Sequence, residues 1–181
     1  MSKPDLTADC SRCAALCCVT LSFDKSDKFA FDKPAGVPCR HLAQDHTCTI
    51  HDHLEEAGFA GCVQYDCQGA GQRVVQDLFG GRSWRDDPSL LEPMSEAFRA
   101  MRTIHEMLAL LRTASRLTLT ASQHERLQAL EDDLLPPEGW TPETLKEFMK
   151  GASNRDLDSF LKSLRAVAGK EKPRHGGQGS S

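Results

Sequence analysis

The stretch Cys10-Ser-Arg-Cys13-Ala-Ala-Leu-Cys17-Cys18, continued by Cys39, Cys48, Cys62 and Cys67, carries all eight cysteines of a 181-residue chain. His41, His46, His51 and His53 are threaded among them, and no cysteine follows Cys67. Thiolate sulfur and imidazole nitrogen are the ligands of structural zinc, and thiolates hold iron–sulfur clusters. Two cysteines separated by two residues can turn their sulfurs toward one ion. Metal binding is therefore the expected role of residues 10–67.

Disulfides are the rival reading, and compartment decides between them. The first nine residues lack the apolar core of a secretory signal, and no later run approaches the roughly 18 apolar residues of a membrane helix. This predicts a cytoplasmic chain that does not enter the membrane. In a reducing compartment an even set of cysteines is more often a metal site or redox device than a disulfide framework.

Charge narrows the partners. Residues 1–85 hold 9 Lys/Arg against 11 Asp/Glu, and the remainder holds 13 against 15, for a net charge of -4. Neither half is a basic footprint, so nucleic acid is disfavoured as a partner. Aromatic residues make up only 6% of the chain. A core then rests on Leu, Ala, Val and Phe, and a metal would supply part of what the cysteine-rich segment lacks.

The motifs divide the chain into a flexible lead-in (1–9), a cysteine-rich metal-binding domain (10–85), a helical domain (86–169) and a disordered tail (170–181). In the first domain Val19 to Phe23 is expected to be extended. Phe23, Phe29 and Phe31 are expected to cover the site. Cys39 to Cys48 reads as a knuckle or hairpin with Asp45-His46 at its turn, and Thr49 to Ala57 as a short helix. His51, three residues beyond Cys48, is a possible extra ligand, although eight cysteines already suffice for two tetrahedral ions. Gly69 and Gly71 are placed where backbone must approach the site closely. Arg73 to Phe79 reads as helical.

The second half is expected to be an all-helical bundle. Asp87 followed by Pro88 is a helix-start signal. Leu91, Met94, Phe98, Met101, Ile104, Leu108 and Leu111 recur at helical spacing to about Thr113. Thr120 to Gln123 and Ser122 to Glu125 are overlapping capping-box candidates opening a second helix to about Leu135. Thr141-Pro142 opens a third that stops at Gly151, and Ser153 or Asn154 a fourth that runs to Val167. The fold class is mainly α: a small irregular cysteine-rich metal-binding domain followed by an all-helical bundle.

The order Cys-x2-Cys-x3-Cys-Cys, then Pro38-Cys39-x2-Leu42, Asp45-x2-Cys48-x-Ile50-His51 and the pair Cys62 and Cys67, resembles the bacterial YkgJ-like cysteine-cluster family, described as zinc- or iron-chelating. Residues 8–72 carry the likeness. Asp32-Lys33-Pro34-Ala35-Gly36 and Gly69-Ala70-Gly71-Gln72 are also similar to the leader ahead of pentapeptide repeats in some actinobacterial proteins, although here helices follow instead of repeats. The resemblance implies chelation and supplies no reaction.

The expected function is thus a zinc- or iron-chelating cysteine-cluster protein, a binding module whose helical half docks a protein partner. All eight cysteines are candidate ligands. An iron–sulfur protein for electron transfer or redox sensing is the alternative. Enzyme chemistry is disfavoured: Asp66, His51 and His53 are unspecific as bases, and Cys10-x2-Cys13 lacks the βαβ setting of a thiol–disulfide oxidoreductase.

Overall fold

The longest element, α4 (Leu91–Ala114), is the axis against which both halves of the chain pack. The computed structural model describes residues 4–151 and 153–165. The expected last turn to Val167 and the tail 170–181 lie outside them. The elements before the axis are short: α1 (Leu16–Thr20), α2 (Ala60–Gln64), and α3 (Ala70–Arg73) with its continuation in a π-type turn, Val74–Leu78. After it come α5 (Ala121–Leu134), α6 (Pro142–Lys150) and α7 (Ser153–Ser163). The fold is mainly α. Among the described residues there is no strand, only two isolated antiparallel bridges, Phe23 with Lys33 and Leu42 with Cys48.

The helix starts form where short-range chemistry requires them. Asp87 accepts from the Ser89 amide at 3.1 Å, and Pro88–Leu90 makes a 3-10 turn that feeds α4. Thr120 and Gln123 close a reciprocal capping box at α5, and Thr141 with Thr144 closes another at α6. Each cap satisfies amides that a helix leaves without partners and is worth about 1 kcal/mol.

Two elements differ from the sequence expectation. Val19 to Phe23 is not an extended unit: its first part belongs to α1, and Phe23 then makes a single bridge with Lys33. Leu16 and Val19 are three residues apart, share one helical face and are fully buried. Burying two such side chains gains about 1.5–3 kcal/mol each, more than the roughly 1 kcal/mol range of strand preference. Thr49 to Ala57 forms only a 3-10 turn, His51–His53.

One hydrophobic cluster runs through both halves. It includes Leu6, Leu16, Val19, Ala70, Val74 and Trp84 from the cysteine-rich part, and Phe98, Met101, Leu108, Leu130, Leu145 and Phe160 from the helices. Helix α4 serves both sides because its apolar arc is broader than the single stripe predicted: Ala97, Ala100, Met107 and Ala114 are buried as well. Such a wide arc is expected of a helix covered on more than one side. Residues 4–9 also lie against the molecule. Leu6 joins the core, Arg112 donates to the Pro4 carbonyl, and Gln72 holds the Thr7 carbonyl and the Asp9 amide.

His105, only 2% exposed, pins α4 to the cysteine-rich half by donating from Nδ1 to the Gln68 carbonyl at 2.5 Å. Burial pushes its pKa below the ordinary 6.5, helped by the Arg73 and Arg112 charges and opposed by the Gln68 carbonyl and Asp77. Below about 6.5 the unfolded imidazole takes up a proton that the folded one resists, so acidification favours unfolding. Stability should fall as pH drops from about 7 toward 5, and His105→Gln should flatten part of that slope. Urea midpoints for both proteins across this range check it.

Candidate metal centre

The cysteines lie on loops and short helical turns whose backbone is bent sharply around them. Cys10–Arg12 forms a 3-10 turn capped by Asp9, whose carboxylate accepts from the Ser11 amide. Ala14 and Ala15 follow in the left-handed region, at φ 47° and 53°. Two successive non-glycine residues there cost about 1–2 kcal/mol each. Trp84 Nε1 donates to the Ala14 carbonyl at 2.8 Å and holds this turn against the core. Gln68, beside Cys67, is also left-handed at φ 52°. Strain of this kind persists where surrounding contacts enforce it, often at functional sites.

In α1, Leu16 and Val19 face inward, so Cys17 and Cys18 occupy the remaining arc, about 100° apart. Their sulfurs are 3.9 Å apart. Around Cys18 a second loop closes. The Cys39 amide donates to the Cys18 carbonyl at 3.0 Å, and Leu42 then pairs with Cys48 as the predicted knuckle. The knuckle turns at Asp45, which accepts from the Thr47 amide, and His46, at φ 68°. Cys62, on α2, follows Gly61, whose amide bonds the Lys28 carbonyl, and the buried Phe59. A Cβ at Gly61 would lie 2.2 Å from the Phe29 ring, so only glycine allows that approach.

On the other flank, the Ala70 amide bonds the Cys67 carbonyl at 3.0 Å, which seats Cys67 at the start of α3. A Cβ at Gly71 would meet Cys13 Cβ at 2.8 Å and its Sγ at 3.7 Å. The predicted close approach therefore falls on Cys13. Gln76 reaches across from the π-type turn to the Arg12 carbonyl.

A wall of rings backs the site. Phe23 stacks on Phe29 at 4.3 Å, Phe31 meets Phe59 at 5.2 Å, and His41 packs edge-on against Phe59 at 5.4 Å. Phe23, Phe29 and Phe31 pack together as one group of rings, joined by Phe59. The Arg40 guanidinium lies 3.7 Å over Phe31.

All eight cysteines are free thiols. Among the described residues no three His, Cys, Asp or Glu side chains are closed into a coordination shell. The Cys17 and Cys18 sulfurs meet at 3.9 Å, and Cys13 Sγ donates to the Cys10 carbonyl at 3.3 Å. A hydrogen bond from Cys13 lowers Cys10 to about 6, with help from His51, while Cys13 is pushed up by the same bond and by burial. Cys18 is lowered by the hydrogen bond from Cys17 and by the Lys33 charge. Cys17 is pushed well up by its bond to Cys18, by burial, and by the charges of Cys18, Cys13 and Cys67. Burial raises Cys62 to about 11, and Cys18, Cys39 and Cys48 add to it. Burial likewise raises Cys48. So many thiols in mutual reach cannot all ionise without a cation among them. Thiolate sulfur is the donor type that soft and borderline divalent metals prefer.

The histidines are peripheral. His51 and His53 are exposed, and His51 lies toward Cys10 and Asp52 rather than joining Cys48 on an ion. His46 Nε2 pairs with Ser83 at 2.9 Å, and His41 belongs to the ring wall.

Lys33 is a participant that no spacing pattern in the sequence reveals. Only 4% exposed, its ammonium donates to the carbonyls of Val19, Leu21 and Pro34, and Cys39, Cys18 and Cys17 lie within its field. It completes the open C-terminal end of α1 and sets one fixed positive charge beside the sulfurs. Lys33→Met should destabilise the protein by about 2–3 kcal/mol, because buried carbonyls lose a charged donor. Urea denaturation of the two proteins measures it, and an unchanged midpoint would remove Lys33 from this account.

A protein of Bacillus subtilis (strain 168), YybG, itself described as uncharacterized, is similar to this chain, at 44% identity over 124 residues. The alignment spans 68% of this chain and 44% of that relative, so the chain matches less than half of the relative's length. No family model matches the chain, and no solved structure matches it.

Proposed function

We propose that this protein is a metal-binding cysteine-cluster module that chelates zinc or iron through Cys10, Cys13, Cys17, Cys18, Cys39, Cys48, Cys62 and Cys67. It acts by binding rather than by catalysis, and its helical half docks a protein partner. The observation that carries the reading is eight free thiols within residues 10–67, of which Cys17 and Cys18 hold their sulfurs 3.9 Å apart. The resemblance to the YkgJ-like family points the same way. Zinc is the favoured ion, and a cytoplasmic setting keeps the thiols reduced. No helix among the described residues is long and apolar enough to cross a membrane, and the net charge of -4 disfavours nucleic acid.

Elemental analysis and a visible spectrum of protein purified without oxygen test the reading. Zinc with no visible absorbance is the expected result. Iron with matching acid-labile sulfide and a broad band near roughly 400 nm would instead assign an iron–sulfur protein for electron transfer or redox sensing. Neither metal, with all thiols free, would overturn the proposal.

A further inference from the structure

We propose that Cys17 and Cys18 form a reversible dithiol–disulfide switch, oxidised by hydrogen peroxide, whose closure unwinds α1 and frees the loop that begins at Cys39. The free thiols and the backbone around them carry this, whether or not the cysteines also hold a metal.

The two side chains are neighbours in space as well as in the chain. Their sulfurs touch at 3.9 Å, and both thiols are free and partly exposed, so a small oxidant reaches them. Successive residues of a helix point about 100° apart, so a sulfur contact between them is a particular arrangement and not a general result of helical geometry. The buried Leu16 and Val19 hold α1 in the core with the pair on its outer arc. The Cys13 thiol, by contrast, is turned to backbone, donating to the Cys10 carbonyl at 3.3 Å.

The chemistry needs only the peroxide. One sulfur of the pair attacks a peroxide oxygen, the O–O bond breaks, water leaves, and that cysteine becomes a sulfenic acid. The neighbouring thiol then attacks the oxidised sulfur, the S–O bond breaks, and a second water leaves as the S–S bond forms. The two thiols give up two electrons and two protons, and the peroxide becomes two waters.

Closing this bond moves backbone. A trans peptide holds adjacent Cα atoms about 3.8 Å apart, inside the roughly 4.4–6.8 Å span of ordinary disulfides, while the sulfurs must close to about 2.05 Å. The peptide between the two cysteines has to turn, and it carries the bonds of α1: the Cys18 amide donates to the Ala15 carbonyl at 2.9 Å, and the Cys17 carbonyl accepts from the Leu21 amide at 3.3 Å. Helix α1 has five residues and starts at Ala15 without a side-chain cap, so it has little to resist with. The Cys18 carbonyl moves too, and it accepts the Cys39 amide at 3.0 Å, the bond that ties in the loop returning to Cys48 through the Leu42 bridge. Lys33, bonded to the Val19 and Leu21 carbonyls, holds the far end of the turn in place. Strain in so small a ring makes the bond easy to reduce, so in a reducing compartment the pair rests as thiols and closes only under oxidant.

The full chain, purified without oxygen, treated with an equimolar amount of hydrogen peroxide and trapped by alkylation, tests the switch by peptide mass spectrometry. The first product should lack two of the eight thiols, and the peptide carrying Cys17 and Cys18 should have lost two hydrogens and resist alkylation. Excess dithiothreitol should restore both thiols. Hydrogen exchange of the oxidised protein should speed up in residues 16–21 and 39–48 and stay unchanged in α5. Closure of Cys10 with Cys13 or of any other pair first, or survival of both thiols once the peroxide is consumed, would overturn the switch. Unchanged exchange at residues 16–21 in protein that has closed the bond would overturn the unwinding. Zinc content of the same sample separates this result from the metal reading. Zinc-free protein that closes Cys17–Cys18 first sinks the metal reading alone, and zinc-loaded protein that closes another pair first sinks the switch alone.

Discussion

On the proposed metal-binding function, excess chelator is expected to abolish the fixed structure of residues 10–67 while much of the helix content remains. A structural zinc site contributes about 10–16 kcal/mol of apparent binding energy, and a whole domain is commonly stable by only about 5–15 kcal/mol. The elements between Cys10 and Cys67 are single turns, and a helix so short cannot hold itself. Helices α4, α5, α6 and α7 have their own buried faces, in Met101, Leu108, Leu130, Leu145 and Phe160 among others. Hydrogen exchange should therefore show protection lost in the cysteine-rich part. Trp84 fluorescence should change as its bond to Ala14 is released. Identical exchange and urea midpoints with and without chelator would show that metal does not organise this region.

Phe98→Ala should cost about 3–5 kcal/mol, a large part of the total stability. The ring is 1% exposed and sits in the middle of α4. Its Cε2 lies 3.8 Å from where a Gly71 Cβ would be, directly behind the Cys13 turn. Truncation leaves a cavity between the helical half and the seat of α3, so both halves should loosen together. Leu110→Ala on the same helix, 48% exposed, serves as the control and should change stability by less than about 0.5 kcal/mol. Thermal or urea unfolding of the three proteins decides it, and equal losses at the two positions would contradict the packing described here.

The helical half was legible because its signals are local. Thr120 with Gln123 and Thr141 with Pro142 act within one turn, so the starts of α5 and α6 lie where their caps demand. The heptad-like spacing of α4 located its core face, though not its full width, because Ala97 and Ala100 are neutral residues whose burial depends on what packs over them. In the cysteine-rich part the turn at Asp45-His46 was also readable. There the low overall aromatic content misleads, since Phe23, Phe29, Phe31 and Phe59 are gathered into one wall.

By itself the sequence determined a mainly helical protein, the starts of its longer helices, and a cysteine-rich segment whose donors suit a soft metal, because caps, apolar periodicity and ligand chemistry all act over a few residues. Only the tertiary structure decided that α1 is helical, that Lys33 is buried beside the sulfurs, and which cysteines become neighbours. Those outcomes depend on which surfaces meet. Leu16 and Val19 are buried only once α4 lies against them, and Cys13 packs on α3 only because Gly71 has no Cβ to block it.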